Sequence, residues 1–197
     1  MHKINIQFNN NFIELKFCEF KYDDLIIDVE KVRNLCKEGC PNYGINGGCP
    51  PFSPTADILL KNKKFILLIA KTKTKNFSKE RFAKTDTTLN KFLKGIGKYF
   101  KQKYAVEFLS PEHCTECKNC TIKEGCQNKD KRTISITGTG IVLSEVIEKL
   151  FNEKLEWAKE KSPEKLIKIM CIISDKFTEK ILSDLQNVPC ETFFVIK

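Results

Sequence analysis

Seven of the ten cysteines in this 197-residue chain fall into two short runs, and no other feature constrains the fold as strongly. The second run reads His113-Cys114-Thr115-Glu116-Cys117-Lys118-Asn119-Cys120-Thr121-Ile122-Lys123-Glu124-Gly125-Cys126, a C-x2-C-x2-C-x5-C array. Three thiols at successive three-residue steps suit a compact cubane. Each sulfur binds a different iron, and the intervening amides point at the sulfurs and offset their charge. Bacterial ferredoxins carry the same triple but close with C-x3-C-P. Here five residues intervene and Gln127 stands in place of the proline. Zinc is the alternative, although structural zinc sites more often present two separated C-x2-C pairs around one small tetrahedral ion.

The first run is Cys36-Lys37-Glu38-Gly39-Cys40-Pro41-Asn42-Tyr43-Gly44-Ile45-Asn46-Gly47-Gly48-Cys49-Pro50-Pro51. Cys36 and Cys40 lie four apart at an expected helix end and so share one face. The glycines let the loop fold Cys49 back toward them. Three thiolates leave an iron of a cubane open to water or substrate, unless a fourth ligand comes from elsewhere, the second run shares the cluster, or zinc fills the site.

The remaining cysteines read as packing residues: Cys171 within an apolar strand, Cys18 between Phe17 and Phe20, and Cys190 after Pro189. His113 is a candidate ligand or proton carrier beside Cys114. The Tyr43 ring either packs over the first loop or donates to a cluster sulfur. Thr137-Gly138-Thr139-Gly140 reads as a turn and helix start, lacking the lysine of a phosphate loop. With only two histidines, no nucleophilic triad is legible.

Ten cysteines in a short secreted chain would signal disulfides, but the N-terminus, Met1-His2-Lys3-Ile4-Asn5-Ile6, alternates polar and apolar instead of forming a signal sequence. The longest apolar run, Phe65–Ala70, has the length of a strand, far below the roughly 18 residues of a membrane span. A cytoplasmic location and thiolate ligation are therefore expected. The net charge of +9 is nearly all lysine interleaved with acids, which argues for a solvated basic surface over a nucleic-acid face.

Ile4–Phe8 and Ile13–Phe17 alternate around three asparagines, predicting an N-terminal hairpin over residues 3–18. A helix from Val29 ends near Gly39, and a strand covers Phe65–Lys71. The longest helix starts at the N-cap Ser78 and runs past Phe100. Ala105–Leu109 forms a strand, Val142–Phe151 a helix, Leu166–Ile173 a strand, Ile181–Leu185 a short helix and Phe193–Ile196 a last strand. The expected class is α/β, with α+β the variant: one compact domain over 1–197, a mixed sheet with packed helices, and cysteine loops at 36–51 and 114–126.

Val32-Arg33-Asn34-Leu35-Cys36, Cys40-Pro41-Asn42-Tyr43-Gly44 and Cys49-Pro50-Pro51, followed by the second array, resemble the predicted metal-binding proteins known as domain of unknown function 2284. The resemblance spans about Phe17 to Ile173. It implies a metal site at Cys36, Cys40, Cys49, Cys114, Cys117, Cys120 and Cys126, with anaerobic bacteria and archaea as typical hosts, and no defined reaction. This chain departs in carrying Gly48 where an aromatic often precedes the Cys-Pro-Pro.

The leading expectation is one or two [4Fe-4S] clusters, with Cys114, Cys117, Cys120 and Cys126 as a complete ligand set, in an electron-transfer or accessory protein steered to a redox partner by its basic surface. One alternative is an enzyme acting on a small substrate at an open, three-cysteine iron, in the manner of a desulfidase or dehydratase. Another is a zinc-stapled RNA-binding module.

Overall fold

The structure, a computed structural model, describes residues 1–156 and 162–187. Strands β1 (His2–Phe8) and β2 (Asn11–Phe20) form the predicted hairpin, longer at both ends. Asn9 and Asn10 turn the chain with φ of 46° and 61°, left-handed values that asparagine tolerates and that match the twist of the paired strands. Helix α1 (Val29–Gly39) starts at Asp28, whose side chain accepts from the Lys31 amide; this kind of cap contributes roughly 1 kcal/mol. After the first cysteine loop come α2 (Ala56–Leu60), β3 (Phe65–Lys73) and α3 (Lys79–Tyr104). Ser78 caps α3 as expected, accepting from the Arg81 amide.

Strand β4 (Glu107–Ser110) leads into the second cysteine loop, which ends at the two-residue strand β5 (Ile134–Ser135). Helix α4 (Leu143–Phe151), strand β6 (Lys165–Ile173) and helix α5 (Thr178–Asn187) complete the described chain. The expected strand Phe193–Ile196 and Cys190 lie outside the described residues.

The six strands form one mixed sheet in the order β1-β2-β3-β6-β4-β5, antiparallel throughout except for the β4–β5 pair, so the fold is α+β. Central β3 is buried from Phe65 to Ala70 on both faces, which is why its sequence is continuously apolar instead of alternating. On one face Ile66, Leu68 and Ala70 pack with Ile13, Leu15 and Phe17 under α3 and α5. On the other, Phe65, Leu67 and Ile69 meet Val146, Ile147 and Phe151 of α4. Helix α3 comes very close to β4 at Gly97, where a Cβ would stand 2.6 Å from the Phe108 ring.

This topology places the cysteine loops at one edge. Both ends of the second loop are held by the β4–β5 ladder, through Leu109 opposite Ile134 and Ser110 opposite Ser135. The first loop lies along the free side of β5, where the Ser135 amide donates to the Gly48 carbonyl at 2.9 Å. A bridge between Ile27 and Ile141 and a bond from the Asp28 amide to the Gly140 carbonyl seat α1 beside it.

Candidate metal centre

Cys36 sits in the last turn of α1, and Cys40 caps the helix with its amide on the Cys36 carbonyl at 3.0 Å. The loop then turns through Gly44, at φ 71°, and tightens so that the Cys49 amide reaches the Asn46 carbonyl at 3.0 Å. Asn46, Gly47, Gly48, Cys49 and Pro50 are all buried. The prolines and glycines that exclude regular structure here thus build a packed loop.

Asn46 joins the two cysteine runs. Its side-chain oxygen accepts from the Gly48 amide at 2.9 Å and from the Cys114 amide at 3.1 Å, while its Nδ2 donates to the Cys114 carbonyl at 2.9 Å. One buried amide thereby fixes both backbone groups of the first cysteine in the second run. Gly48 fits against the same residue: a Cβ there would stand 2.4 Å from the Thr133 carbonyl oxygen and 2.9 Å from the Cys114 nitrogen. Glycine at this position is therefore required by the packing.

Arg132 ties the end of the second loop to the first. Its Nε and one terminal nitrogen donate to the Gly47 carbonyl at 2.9 and 2.6 Å, and that terminal nitrogen also reaches the Phe52 carbonyl at 2.7 Å. Arg33, on α1, donates to the Ser53 carbonyl at 2.6 Å. Two of the three arginines in a chain with 34 basic residues thus hold this loop's backbone. A planar guanidinium serves several carbonyls in a way a lysine cannot.

The sulfurs themselves receive donors. The Gly47 amide lies 3.3 Å from Cys120 Sγ, a contact from the first loop to the second, and Asn128 Nδ2 lies 3.1 Å from Cys117 Sγ. Burial pushes the Cys49 thiol up to about 12, and the neighbouring Cys40, Cys36, Cys114 and Cys120 push in the same direction. Cys36 is raised by burial and by Cys40, with Arg33 opposing. Thiols of both runs thus lie near enough to Cys49 to disfavour its anion further. A donor set made of soft thiols with amide donors to sulfur fits zinc or iron-sulfur in preference to a hard oxygen-seeking cation.

The structure brings Cys36, Cys40, Cys49, Cys114 and Cys120 into one neighbourhood. Cys117 is linked to it through their shared loop and cavity, and Cys126 lies half-buried at the loop's far end. Among the described residues, no group of three or more His, Cys, Asp or Glu side chains is gathered tightly enough to hold a single metal ion. His113 lines a cavity of about 470 Å³ with Asn46, Cys114, Cys117, Lys118 and Cys120. Cys18 is half-buried in β2 and Cys171 fully buried in β6, both packed in the core away from the loops. Thr137–Thr139 is one 3-10 turn packed on the first loop, with Ser53 Oγ donating to the Gly138 carbonyl at 2.9 Å.

Sequence reasoning passed over Asn46, Arg33 and Arg132 as parts of the site. The signal available for the arginines was their scarcity among so many lysines.

A six-stranded α+β body carrying two interlocked cysteine loops at one sheet edge defines a cysteine-rich protein with a candidate metal centre. The chain belongs to the family described as predicted metal-binding protein, domain of unknown function 2284, whose model matches residues 20–173. Comparison with curated proteins and with solved structures finds no match. No helix among the described residues is long and apolar enough to cross a membrane.

Proposed function

We propose that the predicted metal centre is an iron-sulfur centre, with at least one [4Fe-4S] cluster held by Cys114, Cys117, Cys120 and Cys126, and that the protein transfers electrons or serves a cluster-dependent partner. The observation that carries this reading is the amide of Gly47 donating to Cys120 Sγ across the two loops, matched by Asn128 on Cys117. Donors aimed at sulfur draw negative charge from a cluster's thiolates and make its reduced state easier to reach. Cys36, Cys40 and Cys49 complete the surroundings, as ligands of a second cluster or of the same centre.

A second reading, a small-molecule enzyme at an open iron, is favoured by one feature: the cavity lined by Cys114, Cys117 and Cys120 is large enough to admit a ligand. In both readings the cluster supplies the redox or Lewis-acid chemistry. The chain positions the thiolates and holds their hydrogen-bond donors in place.

Anaerobic purification with iron, sulfide and zinc analysis, together with electron paramagnetic resonance of the reduced protein, tests the proposal. About four iron and four sulfide per chain indicate one cubane and about eight indicate two. Stoichiometric zinc without sulfide overturns it. A spectrum that changes when small thiols or hydroxy acids are added separates the open iron from the fully ligated carrier.

A further inference from the structure

A second cavity, of about 440 Å³, adjoins the cysteine cavity and belongs to none of the roles above; Thr115 lines both. Its wall is the middle of α3. Lys91, Lys94 and Lys98 recur at one-turn intervals and so share a stripe, and Gly95 leaves the floor between them without a side chain. Lys94 is unusual for a lysine in being buried, at 8% exposure. Its ammonium is fixed by the Thr115 hydroxyl and by Glu112 at 3.3 Å. Lys98 pairs with Glu116 at 3.2 Å, and Lys91 has no ion pair among the described residues. Three cations thus stand against two carboxylates, Glu112 in the lining and Glu116 beside Lys98, which leaves the Lys91 charge without a partner among the described residues.

We propose that this cleft binds the anionic group, carboxylate or phosphate, of a small molecule. Lys94, buried in the concave wall and held in place, is screened by solvent less than a surface lysine, and the exposed Lys91 and Lys98 on the same stripe add their charge at the rim. The volume suits a small molecule, within the roughly 300–1,000 Å³ typical of ligand pockets. Past Thr115 the remainder of such a molecule faces Cys114 and Cys117. That extension deepens the open-iron reading and rests on it. The anion site itself does not.

The test is equilibrium dialysis of the anaerobically purified protein against radiolabelled inorganic phosphate at low ionic strength, with acetate and mercaptoacetate as competitors. Saturable binding of one phosphate per chain is expected, weakened at least tenfold by Lys91→Gln combined with Lys98→Gln. Both residues are exposed, and circular dichroism checks that the variant stays folded. Displacement by acetate at millimolar levels assigns the cleft to carboxylates; displacement only at far higher levels assigns it to phosphates. Non-saturable binding, or binding unchanged in the double variant, overturns the site. Mercaptoacetate perturbing the cluster spectrum more strongly than uncharged 2-mercaptoethanol, with that preference lost in the double variant, supports the extension toward the cysteines. Phosphate binding to protein that lacks iron leaves the cleft standing while the metal reading fails. An intact cluster without phosphate binding does the reverse.

Discussion

The two cysteine loops are built by different means. In the first, Cys49 is 6% exposed and follows three buried residues, Asn46, Gly47 and Gly48, packed beside β5 and the Thr137–Thr139 turn. In the second, Cys120 is exposed and Lys118 and Asn119 beside it face solvent. The first loop is held by distant donors on its carbonyls, from Arg132, Arg33 and the Ser135 amide, and by Asn46 bonding the Cys114 backbone. Much of the second loop's bonding is local, such as Thr121 Oγ1 to the Gly125 carbonyl at 2.9 Å. A loop fixed by the body keeps its shape without metal, whereas one fixed mainly by itself depends on what its thiols bind.

Asn46→Ala strikes where the loops meet and carries the largest expected effect. It strands the amides of Gly48 and Cys114 and the Cys114 carbonyl, at about 1–3 kcal/mol for each buried group left unpaired. After relaxation a loss of about 4 kcal/mol is expected by denaturant titration, with most of the metal gone on elemental analysis. A variant that keeps full metal and stability would show the loops to be independent.

Gly48→Ala comes next. The added carbon meets backbone atoms of Thr133 and Cys114, which cannot rotate away as a side-chain tip would. Overpacking of this kind costs about 1–3 kcal/mol, and the upper half of that range is expected here. Melting temperature measured with and without metal separates the two contributions: a drop of equal size in both states places the damage in the preformed first loop. A drop confined to the metal-bound state would mean that the first loop, too, takes its shape from the metal.

Metal removal by a chelator tests the contrast directly. Amide hydrogen exchange is expected to accelerate about tenfold or more over Cys114–Cys126, equal to ~1.4 kcal/mol of local opening, and by much less over Gly44–Ser53. Equal acceleration in both loops would erase the distinction.

The sequence made the body legible where one physical demand dominated. A run from Phe65 to Ala70 without a polar residue announces a strand buried on both faces, and α3 shows both its apolar stripe and its Ser78 cap. The cysteine spacings marked both loops. Helix α2 escaped notice because five residues are too few for helical periodicity to register, and β5 because two residues, paired parallel to β4, carry no alternation. Asn46, Arg33 and Arg132 were illegible for another reason. Apart from the Gly48 amide beside Asn46, their partners are backbone carbonyls and amides 20 to 85 residues away, and backbone groups are the same at every position of a sequence. Only folding tells an arginine that clamps a loop from one that points into water.

Gly125→Ala should give the smallest effect, and it sharpens the comparison because it differs from Gly48 in kind. Gly125 has φ of 117°, a value that side-chain-bearing residues rarely adopt, yet an added Cβ would find nothing within 4 Å. The penalty is backbone strain alone, about 1 kcal/mol, taken up in an exposed turn that can shift. Metal content is expected to stay near that of the unaltered protein, because nothing lies against Gly125 itself and Cys126 can follow a small shift of this exposed part of the turn. If this one carbon strips the metal as fully as Asn46→Ala, then the second loop is as narrowly specified as the first. Its openness to solvent would then mark a rigid rim around the centre, and the exchange contrast between the loops should vanish with it.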